Sequence, residues 1–220
     1  GFLQEAMPPH DLPMTVLGAG LLWFGWFGFN AGSALASGEL AAVAFVTTHA
    51  AAVAATLAWT FAEWLHRGKP TMFGAATGAI AGLATITPAA GYVSPLAALA
   101  IGVAAGLLCY TALNAKTKFR YDDSLDAFGV HGVGGTIGTV MAGLFATVAV
   151  NPSGANGLFF GNAKQFVVQV EAVFLVAAYS FIVSMVLFKI IDMTMGIRVT
   201  KDEETEGLDI TQHGEAGYTH

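Results

Sequence analysis

Long apolar runs separated by short polar breaks organise this chain, and the runs recur at a length set by a bilayer. A helix needs about 20 mostly apolar residues to cross roughly 30 Å of hydrocarbon. Six stretches read as such helices: residues 14–33, 40–65, 71–87, 96–114, 124–150 and 166–194. The breaks carry the residues that stop helices. Pro8, Pro9 and Pro13 make residues 1–13 a loop, Ala34 to Glu39 is a Gly/Ser-rich turn, and Pro88, Gly91 and Pro95 separate the third and fourth runs. His66 to Pro70, Lys116 to Asp123 and Asn151 to Gln165 are the remaining loops, and residues 197–220 form a polar tail. The expected fold class is all-α, a polytopic membrane protein with six transmembrane helices.

Composition agrees with that reading. Only 11% of the residues are charged and 55% are hydrophobic, against about 25% charged in ordinary soluble domains. The 27 glycines suit helices that must approach closely where lipid gives no hydrophobic drive to associate. The net charge of −6 is no signal for nucleic acid, because five of the fifteen acids lie between Asp202 and Asp209 in the tail. The single cysteine, Cys109, can form no intrachain disulfide and is expected in the core. Eight of the nine basic residues fall in loops or ends on the same side as the tail, the exception being Lys164. Basic residues are retained on the cytoplasmic side, so the C-terminus is expected there. The chain begins at Gly1 with no signal sequence ahead of the first run, and reads as starting inside a larger protein.

Candidate chemistry centres on His131, the one ionisable residue in the uncharged run Ala127 to Val150. Gly135 and Gly138 follow it at i+4 and i+7, and Gly134 with Gly138 forms a GxxxG pair, so another helix can approach the ring. An intramembrane histidine marks an ion or proton route or fills a packing role by hydrogen bonding. Trp26, Phe29 and Ser33 share a helical face at the outer end of the first run. They could offer aromatic faces and a hydroxyl to a small cation, or belong to an interfacial aromatic belt. Asp122 and Asp123 are placed to cap the His131 helix, whereas Asp126 lies deeper and is the candidate supporting residue. His49 reads as a packing residue and Glu171 as a group near a span end. By composition the tail reads as disordered.

Four stretches together resemble the ammonium transporters of the Amt/Mep/Rh family: Gly25-Trp-Phe-Gly-Phe-Asn-Ala-Gly-Ser33, Gly78 to Pro88, Asp126-Ala-Phe-Gly-Val-His-Gly-Val-Gly-Gly135, and the tail with Glu206-Gly-Leu-Asp209 and His213-Gly-Glu215. The resemblance spans essentially the whole chain but corresponds to the C-terminal half of that family's proteins, helices six to eleven of an eleven-helix fold. It implies the second of two inverted repeats plus the final helix.

Carried over residue by residue, the resemblance makes His131 the second of two pore histidines and Phe29 one of two stacked gate phenylalanines. Ser33 becomes the hydroxyl of an outer ammonium-recruitment site and Trp26 a pore-lining ring. It implies transport of ammonium or ammonia across the cell membrane rather than enzymatic catalysis, with no cofactor or metal and with methylammonium as a second substrate. A homotrimer and a PII signalling protein at the cytoplasmic face are the implied partners. The alternative is an ammonium sensor that uses the same pore parts to drive a signalling domain.

Overall fold

The structure is a computed structural model that describes residues 8–217 of the 220-residue chain. The first seven residues of the expected loop and the last three of the tail lie outside the described residues. Among the described residues the regular elements are all helices, with no strand, and the described chain divides into two compact units, one from Pro8 to Val173 and one from Phe174 onward.

In the first unit, α1 runs Leu12–Gly32, α2 Glu39–Arg67, α3 Met72–Ile86 and α4 Pro95–Phe119. A π-helical turn, Phe128–Gly132, then leads into α5, Val133–Phe145. Helix α6, Ala163–Thr194, begins here and continues into the second unit. Among the described residues, five segments are long and apolar enough to cross a membrane, the π turn and α5 counting as one, and α3 is a shorter apolar sixth.

Local chemistry explains the starts. Pro13 sits in the first turn of α1, where its missing N–H satisfies no helical bond, and Asp11 caps that turn by accepting from Met14 N–H at 2.8 Å. Thr71 and Ser94 cap α3 and α4 in the same way. Glu63, buried near the end of α2, reaches over to accept from the Thr71 N–H at 3.0 Å and from its hydroxyl. A buried carboxylate is tolerable only when its oxygens are bonded, and here those bonds join α2 to α3.

Small residues set the packing. Helix α2 lies against α3 and α4 along a seam of Ala51, Ala52 and Ala55, all fully buried. A Cβ on Gly82 would lie 2.7 Å from the Ala51 carbonyl oxygen, and one on Gly102 would meet the same oxygen, so both neighbours touch the α2 backbone itself. Close backbone approach replaces the hydrophobic drive that lipid cannot supply.

The structure departs from the sequence reading in three places. Helix α4 continues through the charged residues to Phe119, placing Lys116 and Lys118 on its last turns rather than in a loop. The run 124–150 holds a left-handed Asp126, the π turn and a helix that ends at Phe145. In the second unit the tail is also structured: α7, Lys201–Glu206, opens with a capping box between Thr200 and Glu203, and a second π turn spans Asp209–His213.

Candidate functional site

Two elements bring the predicted residues together. Trp26 and Phe29 are i and i+3 on α1, and His131 is the fourth residue of the π turn. The Trp26 indole lies nearly parallel to the His131 imidazole, 11° apart with ring centroids at 6.4 Å. Phe29 meets the same indole edge-on at 6.0 Å. Aromatic pairs favour both geometries, so the three rings form one row.

The middle ring is anchored. Trp26 Nε1 donates to Thr87 Oγ1 at 2.8 Å, and Thr87 Oγ1 itself donates to the Leu83 carbonyl at 2.8 Å. A neighbouring tie joins α1 to α2, Asn30 Nδ2 donating to Thr48 Oγ1 at 3.0 Å. Sequence reasoning missed Thr87, which lies 61 positions from Trp26. The signal was present only as a hydroxyl beside Pro88 at the end of an apolar run.

The row borders a groove rather than a sealed core. A cavity of about 670 Å³ is lined by Leu21, Trp26, Phe29, Thr87 and His131, among others. Beyond Phe29 a second cavity, about 190 Å³, is lined by Phe29, Asn30, Ser33, Thr87 and Tyr92. A third, about 410 Å³, has both His131 and Asp126 in its wall. Phe29 and Thr87 therefore belong to two cavities on one side, and His131 to two on the other.

The glycines near His131 divide by face. A Cβ on Gly134 would meet Thr85 Oγ1 at 2.7 Å, and one on Gly138 would meet the Thr85 carbonyl oxygen, so α3 crosses α5 there. Gly135, one turn after His131, has nothing within 4 Å of such an atom. The GxxxG pair thus serves packing against α3, while the Gly135 side stays open. The His131 side chain is exposed, with no hydrogen-bonding partner for its ring among the described residues.

Ser33 and Asp126 stand apart from the ring row. Ser33 Oγ donates to the Phe29 carbonyl at 2.5 Å, which uses its proton and leaves its lone pairs to accept. Asp126 is paired with Lys116. Asp123 is the cap of the π turn, accepting from Phe128 N–H at 3.0 Å and Gly129 N–H at 3.2 Å. Burial first, and then the neighbouring Asp123 charge, push the Tyr121 phenol above its ordinary value. His49 packs between Trp23 and Phe27, with ring centroids at 5.4 and 6.0 Å, away from the row. Among the described residues no cluster of histidine, cysteine or carboxylate could hold a metal ion.

Apolar helices joined through small residues around a few paired polar groups define a multi-pass membrane protein. The chain belongs to the Ammonium Transporter Family, whose model matches residues 2–218. It is 50% identical over 214 residues to the ammonium transporter of Bacillus subtilis (strain 168), covering 97% of this chain and 53% of that protein. The crystal structure of Candida albicans Mep2 superimposes with a TM-score of 0.85 at 35% identity, over 94% of this chain and 48% of that one. A solved structure titled Sensor Amt Protein matches with a TM-score of 0.83 at 31% identity, over 92% of this chain and 49% of that one. The chain spans about half the length of the curated relatives it matches.

Proposed function

We propose that this chain supplies one wall of an ammonium-conducting path in the cell membrane, with Phe29, Trp26 and His131 along it and the opposite wall coming from a first repeat outside these residues. The observation that carries the reading is the row of three rings beside an open groove, with His131 exposed and its ring nitrogens free to bond.

Ammonium is a small cation with only donors. Ser33, its proton already committed to the Phe29 carbonyl, accepts from it, and the ring faces of Phe29 and Trp26 attract it, at about 0.5–2 kcal/mol per ring. A bare cation at mid-membrane is costly, so ammonium transfers its proton to water at the outer mouth and the neutral amine passes along Trp26 to His131. Imidazole has both a donor and an acceptor nitrogen, and pairing with a histidine of the first repeat gives the amine a polar path through an apolar groove. Lys116, Lys118 and Lys201 then lie on the cytoplasmic side with the tail, where a PII protein docks, and three copies assemble as a trimer.

The experiment is methylammonium uptake by a transporter-deficient strain expressing the natural full-length protein or its His131→Ala variant, with trimer yield measured in parallel. Uptake lost with trimer retained supports the path; normal uptake by the variant refutes it. The likeness to the structure titled Sensor Amt Protein favours a second reading, in which the same wall senses ammonium. A full-length protein that binds methylammonium but transports none would select it.

A further inference from the structure

The π turn carrying His131 is fixed from outside by one lysine. Lys116, on the last turns of α4, donates from Nζ to the Asp123 carbonyl at 2.8 Å and pairs with the Asp126 carboxylate. Both partners hold the start of the π turn. The Asp123 carboxylate accepts the Phe128 and Gly129 N–H groups, and the Asp126 carbonyl accepts the Val130 N–H at 3.0 Å. Asp126 also has a φ of 58°, a left-handed conformation that a non-glycine residue keeps only when its surroundings over-determine it. The pair is largely shielded, with side chains 18% and 14% exposed. Asp126 lines the cavity that contains His131 and also a separate cavity of about 230 Å³ that contains Lys116 and Glu63.

From this arrangement we infer that Lys116 is a positioning residue for His131, fixing the left-handed Asp126 and with it the π turn that aims the imidazole at Trp26. The inference rests on the proposed conduction path for its functional consequence, but the geometric clamp stands independently of it. A π-helical turn is a costly local winding that recurs at functional sites. Here Asp123 caps it locally, and Lys116 from a separate helix holds the two residues, Asp123 and Asp126, that start it. Lys116 touches neither the groove beside Trp26 nor the outer cavity beside Ser33. Its loss should therefore affect passage and leave recruitment alone.

The test compares wild type, Lys116→Met and Lys116→Arg in the natural full-length protein, with two readouts. Methylammonium uptake kinetics should show a maximal rate lower by up to roughly a hundredfold for Lys116→Met, the scale of loss that misplacing a working group by about 1 Å brings, at an unchanged half-saturation concentration. Lys116→Arg should restore most of it. Amide hydrogen exchange of the purified protein should be faster in Lys116→Met for peptides covering 126–132 and unchanged for α3. Unaltered exchange in 126–132 overturns the clamp, and so does a uniform loss of trimer, exchange protection and uptake. A wild-type protein that transports nothing, with exchange still responding to Lys116, sinks the conduction reading and leaves the clamp standing.

Discussion

Alanine at Gly138 is the smallest change that tests the crossing of α3 and α5 beside the histidine. The added methyl would collide with the Thr85 carbonyl oxygen, with the carbonyl carbon 2.8 Å and Pro88 Cδ 3.2 Å away. None of these atoms ends a flexible side chain, so the helices must separate. Overpacking costs about 1–3 kcal/mol, and a backbone obstacle places this site at the upper end, about 3 kcal/mol. For a chain of this size that lowers Tm by roughly 6–12 °C. Gly135→Ala is the matched control, because nothing lies within 4 Å of its added atom. Helix propensity favours alanine there by up to about 1 kcal/mol, so its Tm should be unchanged or slightly raised. The assay is the loss of the intact peak in size-exclusion profiles of heated, purified protein. Equal stability of wild type and Gly138→Ala, or an equal fall for Gly135→Ala, would refute the packing argument.

Glu63→Ala removes the side-chain bonds that tie α2 to the start of α3, and should cost about 1–2 kcal/mol as a lowered Tm; Thr71→Ala added to it should cost about 1 kcal/mol more, because the Thr71 hydroxyl also caps α3 by accepting from Gly74 N–H. The Glu203 carboxyl is held below its ordinary range, first by the Thr200 side-chain hydrogen bond and then by the Thr200 backbone. Its contribution to α7 is therefore present above the ordinary carboxylate range and lost as pH falls through the lowered value. Hydrogen exchange of peptides over 200–206 should quicken on acidification, and Thr200→Ala, which keeps the backbone bond but loses the hydroxyl one, should weaken that dependence. For topology, Lys164→Cys and Lys118→Cys in a Cys109→Ala background should differ in intact cells, an impermeant thiol reagent labelling position 164 and sparing 118; the reverse pattern would invert the membrane orientation.

What the sequence made legible follows from how each feature is encoded. Membrane helices announce themselves through apolar length, and the breaks through proline and glycine, because lipid tolerates no unpaired backbone. The pairing of Trp26 and Phe29 on one face came from helical spacing alone. Their meeting with His131 came only through the family resemblance, since no spacing rule joins positions 105 residues apart. The π turn left no trace, because its side chains have the same apolar pattern as the α-helix that follows; its cause lies in Lys116 and Asp123, whose charges read as a loop. The end of α4 was hidden for the same reason, with lysines at the C-terminal end of a helix favoured by its dipole yet resembling a polar break. Ser33 and Asp126 were legible as polar residues at apolar boundaries, but their bonds to the Phe29 carbonyl and to Lys116 depend on local backbone geometry.

The central claim is that the exposed face carrying Phe29, Trp26 and His131 is half of a pore, completed by polar and aromatic groups from outside this chain. A high-resolution structure of the natural full-length protein in a lipid nanodisc with methylammonium tests it most directly. The account predicts a residue from outside positions 1–220 hydrogen-bonded to a ring nitrogen of His131, and methylammonium density against Ser33 and the ring of Phe29. Lipid or tightly packed aliphatic side chains over His131, with no ligand density beside Ser33, would contradict it.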